Sequence, residues 1–155
     1  MEPRIDYRRL GELIPQTRDA LIAITKAAAT SGLEASLIEL VKIRASQING
    51  CAFCLHMHAT DARKQGEAEM RLHLLSAWRE APLYSARERA ALAWTEALTL
   101  IADTHASDDV YELVRREFSE LEVAALTSAI VAINGWNRIA IAYRFVPAVQ
   151  HAKAA

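Results

Sequence analysis

The stretch Ile48-Asn49-Gly50-Cys51-Ala52-Phe53-Cys54-Leu55-His56-Met57-His58 decides how the chain is read. Asn49-Gly50 is a turn signal that separates two helix-forming runs. Cys51 to Cys54 is a step of three and Cys54 to His58 a step of four, spacings that put side chains on one face of a helix. Two sulfurs and an imidazole therefore share a stripe along the first turns of a helix running from about Cys51 to Gln65, where Gly66 stops it. His56 points elsewhere, about 160° around the axis from His58 at roughly 100° per residue.

Helical signals continue on both sides of this segment. One helix is expected from about Asp19 to Ser31, stopped by Gly32, and a second from about Ala35 to Ile48. Beyond Gly66 a helix covers about Ala68 to Arg79 and ends before Pro82. Ser85-Ala86-Arg87-Glu88 has the form of a capping box and opens a long helix to about Thr104. Ser107 caps a short helix through Val110 and Val114. Ser119-Glu120-Leu121-Glu122 is a second capping box, and its helix runs to Tyr143 with a kink expected at Asn134-Gly135. No run alternates apolar and polar residues between turn signals as a strand would. The expectation is one all-α domain over residues 1–155, its core about 14–144, with six to eight helices.

Composition bounds the function. A chain of 155 residues buries roughly two thirds of its unfolded surface and needs neither disulfide nor metal merely to fold. Hydrophobic residues make up 52%, enough for a filled core with apolar surface left for a partner subunit. With 18 basic against 19 acidic residues there is no basic footprint for nucleic acid. No run reaches the roughly 18 apolar residues of a membrane span, and Met1 to Asp6 has no apolar signal core, so a cytoplasmic protein is expected. Two cysteines in a reducing compartment point to redox or metal chemistry over a structural staple.

The chemistry of the stripe favours a reactive thiol. The thiolate is the nucleophile and a free cysteine ionises near about 8.5. A helix N-terminus favours the anion, and an adjacent imidazole can take the proton. A second sulfur converts a sulfenic acid to a disulfide before further oxidation. Competing readings are weaker. A structural zinc site usually has four ligands with a second Cys/His pair, whereas His73, His105 and His151 stand singly. Haem attachment needs His directly after the second cysteine, where Leu55 stands. A thioredoxin fold needs strands. Two buried cysteines can also act as plain small hydrophobes. No metal or cofactor is expected.

The segment from Glu39 through Gly50-Cys51-x-x-Cys54-x-x-x-His58, with Ala77-Trp78-Arg79-Glu80, Glu88 to Trp94 and Asn134-Gly135-Trp136-Asn137-Arg138, resembles the alkylhydroperoxidase D core of the carboxymuconolactone decarboxylase superfamily. The resemblance covers about Ile14 to Arg144, and its specific part is the cysteine motif. It implies an all-helical homo-oligomer, trimeric or hexameric, that reduces alkyl or hydrogen peroxides. It implies a proton relay in which Glu39, twelve residues before Cys51, holds and deprotonates the Cys51 side while His58 acts as base towards Cys54. Cys54 would be attacked by peroxide, Cys51 would resolve, and a dihydrolipoyl-like or thioredoxin-like dithiol would supply electrons. Some members carry His immediately before the second cysteine; here that residue is Phe53. Helix-dipole reasoning instead favours Cys51 as the thiolate, and a base within one turn favours Cys54.

Three other outcomes are open: a thiol-disulfide partner or redox sensor without turnover, a decarboxylase like the superfamily's lactone enzymes, which do not rely on a CxxC, and a non-catalytic zinc site using Cys51, Cys54, His58 and Glu39. Periodicity by itself puts Glu39 with Lys42 and Ser46 on the solvent side of its helix, opposite Leu37, Val41, Ala45 and Ile48. Trp78, Trp94 and Trp136 read as core or interface anchors. Arg44 reads as an ion-pair partner inside an oligomer or as a snorkelling side chain, Arg138 as a packing residue, and His73 and His105 as surface or helix-end residues.

Overall fold

The computed structural model describes residues 2–148. Among them there is no strand; nine α-helices and one 3-10 turn follow in order. They are α1 (Tyr7–Leu13), α2 (Pro15–Ala29), α3 (Ala35–Asn49), α4 (Ala52–Lys64), α5 (Glu69–Leu74), α6 (Ala86–Thr99), α7 (Ile101–Thr104), α8 (Asp108–Glu117) and α9 (Glu120–Tyr143).

The helix starts follow local chemistry. Pro15 opens α2, four residues ahead of the expected Asp19, because its fixed φ suits a first helical position. Both capping boxes form: Ser85 and Glu88 close the start of α6, and Ser119 and Glu122 that of α9. Three departures have physical causes or lack sequence signals. The helix expected from Ala68 to Arg79 tightens at Leu75–Ala77, turning both Leu75 and Trp78 into the core. The helix expected to reach Thr104 breaks at Leu100 into α6 and α7, where no glycine or proline marks the place. α9 runs unbroken through Asn134-Gly135, so the expected kink is absent. A Cβ on Gly135 would lie 2.9 Å from Leu21 Cδ2, so this glycine serves the close approach of α2 to α9. With α1, which carries no strong sequence signal, and α7 as a separate turn, the described residues form nine helices against the six to eight expected.

α3 is the central element, packed against α4, α6 and α9. Leu37, Ile38 and Val41 join α6, α8 and α9 in one core cluster; Leu40 and Ile43 join Trp78 and Leu92 in a second. A third holds Cys51 and Cys54 with Leu10, Ala45, Ile133 and Phe145.

The α3–α4 junction fixes the cysteines. Gly50 adopts φ 71°, ψ 33°. Its N–H donates to Gln47 O, and Cys51 N–H donates to Ser46 O at 3.0 Å, the paired bonds of a Schellman motif. Cys51, the next residue, is already the N-cap of α4. One helix thus ends and the next begins within two residues. A Gly50→Ala variant is expected to lose about 1–2 kcal/mol, the penalty of a left-handed backbone for an L side chain, with a melting temperature lower by roughly 2–8 °C. Thermal unfolding followed by circular dichroism checks this; an unchanged midpoint contradicts it.

Candidate active site

α4 presents Cys51, Cys54 and His58 along one face, as the spacing predicts, and all three are buried. Cys51 and Cys54 are each only 1% exposed and are not bonded to each other. As N-cap, Cys51 accepts a hydrogen bond at its Sγ from Cys54 N–H, at 3.3 Å. A sulfur in this position faces the positive end of the helix.

Glu39 is not on a solvent face. It is 7% exposed, because α3 has neighbours on several sides and its polar stripe faces α4 and α9 rather than water. Its Oε2 lies 2.8 Å from His58 Nδ1 and its Oε1 2.9 Å from Lys42 Nζ. Burial pushes the Glu39 carboxyl up, but the His58 hydrogen bond and charge, with Lys42 in support, outweigh it and hold the group below the usual carboxylate value. Among the described residues Glu39 has these two side-chain partners, and Cys51 is not one of them.

The thiols differ sharply. The Cys54 side chain donating to Cys51, opposed by burial and aided by backbone N–H groups and the Asn137 amide, draws the Cys51 thiol down to about 7. The same contact with Cys51, together with burial and the Cys51 charge, pushes Cys54 up. The pair therefore gives up its first proton from the Cys51 side and keeps the other between the sulfurs.

Beneath the sulfurs lies a polar network that residue patterning did not single out. Asn137 is fully buried. Its Oδ1 accepts from Asn49 Nδ2 at 2.8 Å, and its Nδ2 donates to Ser46 Oγ at 3.1 Å. Asn49 also donates to Asn134, whose Nδ2 donates to Thr99 Oγ1. Two asparagines one turn apart inside the apolar run of α9 were the available signal, since buried amides require partners.

A cavity of about 280 Å³ opens beside the pair. Cys54 and His58 line it, and Cys51 does not. Among the described residues Lys42 is the one lysine or arginine in its lining. Its wall is otherwise almost wholly apolar, including Tyr7, Phe53, Trp136 and Phe145. Phe53 stacks edge-on against Phe145 with centroids 5.4 Å apart, so the position that is His in some relatives here serves packing. Among the described residues no group of three or more His, Cys, Asp or Glu side chains is arranged to hold a metal ion. His56 lies off the cavity lining; His73 is exposed beside Glu69, and His105 is a left-handed helix end. Arg44 pairs at 2.8 Å with Glu96, which also accepts from Trp78 Nε1, so it finds its carboxylate within its own chain. Trp78 and Trp94 are core residues, Trp136 forms part of the cavity wall, and Arg138 donates to Asn134.

Fold and site together define an all-helical protein organised around a buried CxxC pair, with a carboxylate-oriented histidine one turn along. The carboxymuconolactone decarboxylase family's model matches residues 15–97, and the chain belongs to that family. It is 42% identical over 142 residues to the uncharacterized protein YdfG of Bacillus subtilis (strain 168), covering 92% of this chain and 95% of that one. A protein of unknown function from Agrobacterium tumefaciens, proposed to be the antioxidant defence protein AhpD, superposes with a TM-score of 0.90 at 44% identity, covering 96% of this chain and all of the other. The debrominase Bmp8 shares the fold, with a TM-score of 0.79 at 18% identity over 90% of this chain and 74% of its own.

One thiolate is expected to appear as pH rises through about 7, followed by thiolate ultraviolet absorption of the reduced protein; below that pH both sulfurs are neutral. Cys51→Ser should abolish this transition. Cys54→Ala should move it upward, because it removes the largest stabilising contact. A wild-type protein with no thiolate below the ordinary thiol range contradicts the assignment.

Proposed function

We propose that the protein is a thiol peroxidase of the alkylhydroperoxidase type, reducing organic or hydrogen peroxides through a Cys51–Cys54 disulfide cycle. The observation that carries this reading is the Glu39–His58 hydrogen bond of 2.8 Å behind a cavity that both His58 and Cys54 line. A carboxylate on Nδ1 keeps a proton there and turns the Nε2 lone pair outward as a base.

Access and acidity divide the roles. Cys51 holds the first negative charge of the pair, but Cys54 meets the cavity. Cys54 is the attacked thiol: His58 takes its proton as peroxide approaches. The Cys54 sulfur bonds the terminal peroxide oxygen, the O–O bond breaks, and the departing oxygen recovers the proton from His58. Sulfur is oxidised to sulfenic acid and the peroxide is reduced to an alcohol or water. Cys51 then attacks Cys54, water leaves, and the disulfide forms. Two electrons from a dithiol of the dihydrolipoyl or thioredoxin kind restore the thiols. In this scheme Glu39 orients His58 and does not act on Cys51. Because the fold also serves a debrominase at 18% identity, the fold alone does not select the reaction; the apolar, aromatic-walled cavity supports an organic peroxide.

The reading includes a cytoplasmic homo-oligomer, a trimer or hexamer. No single helix among the described residues is long and apolar enough to cross a membrane. Val131, Ile101 and Leu121 are each more than half exposed, apolar surface of the kind a second copy covers.

Peroxide consumption by the reduced protein with a dithiol donor tests the proposal. Wild type should turn over, while Cys51→Ser and Cys54→Ser should not cycle, and only Cys51→Ser should form a sulfenic acid. His58→Ala should slow consumption by about 100-fold or more with the helical signal intact, the usual worth of a positioned base. Pairing of the thiols with an added disulfide without any peroxide consumption would make the protein a redox partner or sensor instead.

A further inference from the structure

The peroxidase scheme gives the ammonium of Lys42, which lines the cavity beside the Glu39–His58 pair, no part in the chemistry. Lys42 lies on the polar stripe of α3, and its side chain is 13% exposed. Its ammonium lies 2.9 Å from Glu39 Oε1, while the other oxygen of the same carboxylate holds His58 Nδ1. One carboxylate thus holds the ammonium and the imidazole at one end of the cavity that both line. An ammonium has three donors. Among the described residues Lys42 uses its ammonium in a hydrogen bond to Glu39 and to no other partner, and the cavity wall around it is almost entirely apolar.

Lys42 as a purely structural neutraliser of Glu39 would need no place in the cavity wall. A donor-bearing cation in an apolar site, sharing a carboxylate with the base and lining the same cavity as the Cys54 sulfur, suits a developing oxyanion better, because such donors are strongest where water is excluded. Resting on the peroxidase reading, we propose that Lys42 is a catalytic residue that donates a hydrogen bond to the departing oxygen as the peroxide O–O bond breaks. The Cys54 thiolate forms the S–O bond, the electron pair of the broken O–O bond stays on the departing alkoxide oxygen, and Lys42 stabilises that oxygen until the His58 imidazolium protonates it. No further oxidant or reductant enters this step; the product alcohol leaves and Cys54 remains as the sulfenic acid.

This role makes a distinctive demand. Lys42 matters most when the departing group is a poor one, such as a tertiary alkoxide, and least when it is a stable carboxylate. Reduced wild type, Lys42→Met, Lys42→Gln and Lys42→Arg would each be mixed with tert-butyl hydroperoxide and, separately, peracetic acid, and the rate of free-thiol loss measured in a single turnover. Lys42→Met and Lys42→Gln are expected to slow the tert-butyl hydroperoxide reaction by about 100-fold, the typical effect of removing one oxyanion donor, and the peracetic acid reaction by less than about 5-fold, with Lys42→Arg recovering most of the difference. Because both rates come from one preparation, misfolding or misplacement of Glu39 slows the two together. Equal slowing with both oxidants, in Met and Gln variants that retain the wild-type helical signal, would overturn the role of Lys42. Failure of the wild type to consume either oxidant would instead remove the peroxidase reading, and the proposal with it.

Discussion

Glu39 is a carboxylate with almost no water around it, and such a charge persists only when it is paired and hydrogen-bonded. Both oxygens are engaged, one by Lys42 and one by His58, so the charge on α3 dictates where Nδ1 of His58 on α4 must lie. The site's order descends from that pairing. His58 is one helical turn from Cys54, Cys54 is one turn from Cys51, and Cys51 sits where α4 begins. The Gly50 turn delivers this register by bringing the end of α3 directly to the start of α4. Buried ion pairs of this kind are a poor source of stability; here the pairing sets orientation.

The two sulfurs are made unequal by position. Cys51 has the helix N-terminus and a network of buried amides, of which Asn137 is fixed from both sides by Asn49 and Ser46. Cys54 lines the cavity together with His58. The helix N-terminus favours charge on Cys51 at rest, while Cys54 is the sulfur that faces the cavity. A pair that shares one proton accommodates both.

Much of this was legible in the residues. The Cys51/Cys54/His58 stripe follows from helical spacing, and both capping boxes form as their sequences specify. Gly50 reads correctly as a stop. Glu39 is the instructive failure of periodicity: an apolar face was assigned to one side of α3 and solvent to the other, whereas α3 has helices on several sides and its polar stripe faces the site. Only the family resemblance brought Glu39 to the site, and it assigned the carboxylate to the Cys51 side when its partner is His58. Asn137 and Lys42 were missed as site residues because each is an ordinary helical residue until its neighbours are known. Gly135 looked like a kink because glycine weakens a helix, yet tertiary contact with Leu21 explains it. The cavity wall joins Tyr7 of α1 to Phe145 beyond α9, a long-range pairing that no local pattern encodes.

In a thiol peroxidase of this kind, a peroxide converts the two thiols into one bond. Fully reduced protein mixed with a single equivalent of an organic hydroperoxide, with no donor present, can be followed by intact-mass and peptide mass spectrometry alongside the alcohol produced. One intramolecular Cys51–Cys54 disulfide is expected for each alcohol formed. Both thiols left free, with the hydroperoxide unconsumed, would contradict it.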